Sequence, residues 1–222
     1  MANNRSVVFA NNEIYHILNR SIAKEDIFLK ENHLNRMLSL IDFYRFPQNI
    51  KFSEFKKLSP KAKQLYVDNH EGNLPLVEIY GFSLMPNHFH LQLKQLSDNG
   101  ILKFTSNIQN GYAKYFNKTM DRDGSLFKRP FRAKHIDSDE LFLHVLRYIH
   151  LNPVTAYLIK FKDLSNFRWN SFSHYQNYST KSFVNTSFAI NMLGDVEKLI
   201  KFTADQEDYQ KRLAYIKNVS LE

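Results

Sequence analysis

The stretch LVEIYGFSLMPNHFHLQLKQ, Leu76 to Gln95, decides the architecture. Strand-forming residues fill Leu76 to Leu84, the Met85-Pro86-Asn87 step supplies turn chemistry, and His88 to Gln95 alternates polar with apolar positions. Such a pattern predicts an antiparallel hairpin with one buried face. Because side chains alternate along a strand, His88, His90, Gln92 and Lys94 share one face, while Phe89, Leu91 and Leu93 share the other.

Working outward, Ile14 to Asn19 reads as a short strand and Glu31 to Tyr44 as an amphipathic helix, with Leu34, Met37, Leu38 and Ile41 at helical spacing. Residues Phe46 to Leu74 form a polar, basic excursion, partly helical around Pro60 to Val67. Beyond the hairpin a helix is expected over Gly100 to Lys118, then a turn at Asp121 to Gly124 and an extended piece at Phe131 to Ile136. A last helix starts with Asp137 as N-cap and Glu140 at its third position and stops at Asn152-Pro153. This order defines an α+β fold, a ferredoxin-like antiparallel sheet backed by helices. Phe167, Trp169 and Phe172 form a further apolar cluster, and Ala189 to Glu222 reads as helical. The expected organisation is one domain over residues 1–155 and a C-terminal helical extension over 156–222, packed on it.

Composition narrows the chemistry. With no cysteine in 222 residues, disulfides, thiolate-held zinc and thiol nucleophiles are excluded, so any metal must be held by His, carboxylates, amides and water. A net charge of +8 and 14% aromatic residues favour a polyanionic partner with bases to stack. Met1 to Glu13 contains no long apolar run, and no stretch approaches the length of a membrane span, so a cytoplasmic protein is expected.

Residues two apart on one strand face sit about 6.5 Å apart, so two imidazoles can converge on one cation. Nine histidines in 222 residues would place such a pair by chance in about a third of chains, so His88 and His90 need support from elsewhere. In the helix ending at Asn152, the residues Leu141, Phe142, Val145, Leu146 and Ile149 suit a core face, which leaves His144, Tyr148 and Asn152 on a neighbouring stripe. A phenol at Tyr148 can act as nucleophile beside a cation, and the Asn152 amide oxygen can ligate the same ion. Among the other tyrosines, Tyr112 and Tyr115 are the rivals, but Phe116 and Thr119 stand four residues after them, where Asn152 follows Tyr148.

Between Tyr112 and Lys134 seven cations, Lys114, Lys118, Arg122, Lys128, Arg129, Arg132 and Lys134, outnumber Asp121 and Asp123. The rings Tyr112, Tyr115, Phe116, Phe127 and Phe131 are interleaved with them. Charges for phosphates beside rings for bases suit a single-strand or hairpin surface, with Lys128, Arg129, Arg132 and Lys134 the better candidates.

Taken together, PNHFHL at Pro86 to Leu91 and YIHLNPV at Tyr148 to Val154 resemble the signature pair of the single-tyrosine HUH transposases, in particular the REP-associated tyrosine transposase branch. YHILNR at Tyr15 to Arg20, LFKRPFRA at Leu126 to Ala133 and RWNSFSHY at Arg168 to Tyr175 look like that branch too. The resemblance implies a catalytic domain in which His88 and His90, with Phe89 between them, hold a divalent ion, Mg2+ or Mn2+, with Asn152 as third ligand. It also implies that Tyr148 cuts single-stranded DNA, forming a 5′-phosphotyrosine link and releasing a 3′-hydroxyl. The excursion at Phe46 to Leu74 and the tail after Tyr178 depart from the family pattern and leave monomer or homodimer open. Two other readings stand beside this one: a catalytically silent DNA- or RNA-binding protein derived from such an enzyme, and a His-ligated metallohydrolase with further ligands such as His135 or His144.

Overall fold

The computed structural model describes residues 7–69, 72–176 and 182–205. Four strands, β1 (Ile14–Arg20), β2 (Val77–Met85), β3 (His88–Gln95) and β4 (Arg132–Ile136), form one sheet in the order β2-β3-β1-β4. Every neighbouring pair is antiparallel. With helices α1 (Glu31–Tyr44) and α4 (Gly100–Thr119) as the crossovers, this is the ferredoxin-like arrangement expected from the sequence. The excursion contributes two short helices, α2 (Phe52–Phe55) and α3 (Pro60–Asp68), the second opened by the Ser59 cap and Pro60.

The alternation read from β3 holds. Phe89, Leu91 and Leu93 are fully buried, and they share their face with Ile17, Phe104, Ile108 and Tyr112 in the core under α1 and α4. The turn that presents His88 is pinned to the segment after β1: Ile27 and Phe28 donate their backbone N–H groups to the Pro86 carbonyl (2.7 and 2.9 Å), and Ser21 donates to that of Asn87 (2.8 Å). A two-residue turn held by three backbone bonds gives the histidines a rigid base.

The opposite face carries the helix α5 (Asp139–Thr155), which lies over β2 and β3. Its approach is close enough that a Cβ on Gly81 would come within 2.8 Å of Leu146 Cδ1, at a bulge in β2 between Ile79 and Gly81. Two sequence expectations are corrected here. The N-cap is Ser138, whose hydroxyl accepts from Leu141 N–H (3.3 Å), and not Asp137. The helix also does not stop at Asn152 but passes through Pro153 to Thr155.

That continuation has a local cause. Proline cannot donate to the carbonyl four residues back, here Ile149. Asn170 supplies the missing donor: its Nδ2 lies 3.0 Å from Ile149 O, 3.2 Å from His150 O and 3.1 Å from Ser83 Oγ, while its Oδ1 accepts from Phe172 N–H (2.9 Å). The segment around it seals the β2 edge. Leu84 donates to Trp169 O, Ser171 donates to Phe82 O and Phe82 donates back to Ser171 Oγ, each at 2.9 Å. The short helix α6 (Phe172–Gln176) then brings the Tyr175 hydroxyl to Tyr80 O (2.7 Å).

Further along, α7 (Ser187–Leu193) and α8 (Val196–Ala204) break at Gly194, where the chain turns with φ 101° before the Asp195 cap. The helical reading of the tail therefore holds in two pieces, and its residues 206–222 lie outside the described residues. Phe202 of α8 stacks on Arg147, so α5 is covered from this side too.

Two consequences can be measured. Asn170→Ala leaves a buried carbonyl unsatisfied and should lower stability by about 1 to 3 kcal/mol in urea unfolding. In a Pro153→Ala background, where a backbone N–H is restored, the loss should shrink; equal losses in both backgrounds would overturn the assignment. His150 is wholly buried against Ser171 Oγ (3.0 Å), and burial, helped by nearby His174, pushes its pKa down to about 3. An unfolded chain takes up this proton near pH 6.5 and the folded chain does not, so stability is fully present above 6.5 and falls as the pH drops toward 3, by up to about 1.4 kcal/mol per pH unit. His150→Gln should flatten that slope in unfolding curves taken from pH 7 to 5.

Candidate active site

On the face covered by α5, the register aligns Arg20 with His88, Leu18 with His90 and His16 with Gln92. Strand β4 adds Arg132 beside Leu18 and Lys134 beside His16. Side chains at these positions point the same way, so the two histidines of β3, His16 of β1 and the cations of β4 lie on one surface.

Four groups named from the sequence come together. The rings of His88 and His90 are 5.0 Å apart and nearly perpendicular; the Tyr148 ring stands edge-on to His90 at 5.4 Å; the Asn152 carboxamide nitrogen is 3.3 Å from His90 Nε2. Amide nitrogen and oxygen exchange places by a simple flip, so the same position can present an oxygen. Since α5 stays helical through Pro153, Tyr148 and Asn152 keep the one-turn spacing that brings both over β3. His90 is fully buried, whereas His88 and Tyr148 retain 8% and 7% exposure, so the cluster meets solvent on their side.

His16 is the member of this cluster that the sequence reading missed. Its Nε2 is 2.9 Å from Nδ1 of His90, and its ring lies 6.0 Å from that of Tyr148. A bond at Nδ1 sets which nitrogen of His90 carries the proton and turns Nε2 toward Asn152. His88 is oriented similarly, with Nδ1 2.7 Å from Asn87 Oδ1. The signal was the strand face: His16 alternates with Leu18 and Arg20, but its neighbour on β3 depends on a register that sequence alone does not give.

The donor set fits a divalent ion. Two imidazoles, each with Nδ1 engaged by a fixed partner, can present Nε2, and an amide can complete three ligands, leaving positions for water and phosphate oxygens. Among the described residues no group of three or more His, Cys, Asp or Glu could hold a metal, so a third ligand beside His88 and His90 would be the amide or solvent. Among the described residues, the further ligands that the other metallohydrolase reading named are not gathered into such a group. His135 pairs with Glu13 (2.6 Å) at the surface, and His144 turns away to Arg147 (3.0 Å) and the Phe202 ring, because α8 covers that side of α5.

The basic stretch divides. Lys128, Arg129, Arg132 and Lys134 are exposed, the last two on the sheet face that carries His16. Of the rings interleaved with them, Tyr112, Phe116, Phe127 and Phe131 are buried, so they build the core rather than a platform for bases. Helical spacing from Tyr112 to Phe116 already obeyed the core period of α4. Among the described residues no helix is long and apolar enough to cross a membrane.

No protein-family model and no curated protein matches the chain. Among solved structures it is similar to a REP-associated tyrosine transposase bound to a REP hairpin, at 14% identity and TM-score 0.54, over 82% of this chain and 90% of that one. A candidate transposase from Deinococcus radiodurans aligns at 13% identity and TM-score 0.37, over 67% of this chain and 95% of that one. The first likeness shows the fold; the second is too distant to add to it.

The site's geometry predicts Mn2+ or Mg2+ binding that the double change His88→Ala, His90→Ala abolishes while circular dichroism stays native. His16→Ala should weaken binding by about 10- to 100-fold, as loss of a ligand's outer partner does. Unchanged affinity of the double mutant in titration calorimetry would refute the donor set.

Proposed function

We propose that the chain is a metal-dependent endonuclease and strand-transferase acting on single-stranded, hairpin-bearing DNA, in the manner of the single-tyrosine HUH transposases. The observation that carries this reading is the meeting of Tyr148 and Asn152 on α5 with His88 and His90 on β3, four groups from separated motifs gathered at one rim of the sheet. The fold shared with a hairpin-bound tyrosine transposase supports it and suggests the class of substrate.

In this reading His88, His90 and Asn152 hold the divalent ion, which when bound draws charge from the oxygens of the scissile phosphate. Tyr148 sits on a buried, doubly anchored helix, so its Oη is held in place for in-line attack. As the Oη–P bond forms, the P–O3′ bond breaks. The phenol proton passes to water in the cleft and the departing 3′ oxygen takes up a proton from solvent, so atoms and charge balance. One phosphodiester replaces another, and a 3′-hydroxyl attacking the phosphotyrosine reverses the step and joins strands. His16 keeps His90 in its tautomer and does not touch the reacting atoms. Arg132 and Lys134, with Lys128 and Arg129, offer the strand a cationic approach.

The test is incubation of full-length protein with a labelled pool of single-stranded hairpins and manganese, read on a denaturing gel. A covalent adduct should appear, map to Tyr148 by mass spectrometry, and vanish in Tyr148→Phe while DNA affinity is kept. An adduct that persists in the mutant, or maps to Tyr112 or Tyr115, overturns the assignment of the nucleophile. Binding without any adduct would mark the chain as a binding protein.

A further inference from the structure

A second feature lies one strand away from the histidines. A pocket of about 240 Å3 is walled by Asn19 and Arg20 of β1, by Lys128 and Arg129 of the loop before β4, and by Arg132 of β4. Four of its lining residues are cations and none is an acid. Lys128, Arg129 and Arg132 are exposed, but Arg20 is half-buried, and its Nε is shielded from solvent with no hydrogen-bond partner. A buried guanidinium N–H left in this state calls for an acceptor, since desolvating it without one is costly.

The walls are fixed before any ligand arrives. Asn19 Nδ2 donates to Lys128 O (2.9 Å), Lys128 N–H donates to Arg20 O (2.9 Å), and Asn19 Oδ1 accepts from Arg20 N–H (2.8 Å). Ile22 N–H reaches Leu126 O (2.9 Å) just beyond, so the loop runs along the end of β1 as an added half-strand. Preformed backbone of this kind holds the cations together against their own repulsion. The pocket is smaller than the roughly 300 Å3 at which small-molecule clefts begin, which suits one charged group of a longer chain. Guanidinium forks match phosphate oxygens in geometry as well as charge.

We infer that this pocket is a phosphate site, seating the backbone phosphate next to the scissile one, with Arg20 as its deepest ligand. Arg20 is the register partner of His88 and Leu18 that of His90, so the pocket lies one strand over from the histidines, within reach of a strand whose scissile phosphate is held there. The pocket would then set which linkage falls under Tyr148, by holding the neighbouring phosphate in a fixed seat. This inference rests on the single-stranded DNA reading above.

The experiment is a phosphate-neutralisation walk. Full-length Tyr148→Phe protein in EDTA is titrated with single strands of one hairpin sequence, each carrying a single methylphosphonate linkage, and the series is repeated with Arg20→Gln and Arg20→Lys added. Neutralising one linkage beside the cleavage position should weaken binding about tenfold in the parent and less than about twofold in Arg20→Gln, with Arg20→Lys in between. The salt slope of the unmodified strand should fall by about 0.7 in Arg20→Gln, the loss of one single-strand phosphate contact. If Arg20→Gln fails to fold by circular dichroism, Arg132→Gln, at an exposed wall position, should silence the same linkage. Identical walks in parent and variants overturn the pocket assignment while leaving the nuclease reading intact. Absence of any single-strand binding removes both, and a successful walk without an adduct in the manganese assay removes the nuclease reading alone.

Discussion

Pro153 takes one N–H out of the last turn of α5, and Asn170 returns it from twenty-one residues' separation to the carbonyl of Ile149. Most of the site hangs on that exchange. Were the helix to end at Asn152, as a pre-proline residue favours, that amide would swing off the helical spacing and away from His90. Because the helix continues, Tyr148 and Asn152 lie one turn apart over β3, and the same Asn170 ties Ser83 of β2 into the arrangement. A segment that reads as an appendage in sequence is therefore part of what fixes the proposed nucleophile.

The sheet is treated differently at its two edges. Edge β2 is closed by Trp169 to Ser171 and again by Asn185, which donates to Ile79 O at 2.8 Å. At the other edge, β4 pairs only with β1 among the described residues and carries Arg132 and Lys134 outward. Charged side chains on an exposed edge discourage pairing with another chain. The same charges make this edge the natural entry for a polyanion, so the device that blunts aggregation also faces the proposed substrate toward the histidines.

What was legible in the sequence followed from strict periods. Period two along His88 to Gln95 gave the shared face of the histidines, and the strand and helix order gave the ferredoxin-like sheet. The pairing of Tyr148 with Asn152 was legible from spacing, although the proline argued for a helix stop. His16 was hidden because its importance comes from a neighbour on another strand, and register is a tertiary property. His144 was misread as sharing the site stripe because α5 is buried on nearly every side: α8 claims the flank that the amphipathic reading left to solvent. Of the rings between Tyr112 and Phe131, Tyr112 and Phe116 turn inward with the period of α4, whereas Phe127 and Phe131 lie outside any helix and are buried by tertiary packing that charge and aromatic content do not reveal.

The distribution of charge across this face carries one further consequence. The proposed donors, two imidazoles and an amide, bring no negative charge to a divalent ion, so the ion's charge is left uncompensated by its protein ligands. Arg20, the register partner of His88, adds more positive charge. In the partly buried setting of His90 such charges repel more strongly than in water. A phosphodiester placed between them supplies what both lack, and by linkage each ligand must then raise the affinity for the other by the same factor. Under the proposed reading, an ion held weakly alone and firmly with DNA present would suit a site that exchanges its metal and commits to chemistry only when a strand is in place. A carboxylate at position 152 would hold the ion more tightly in the absence of DNA and weaken that coupling, which gives a physical reason for an amide to serve there.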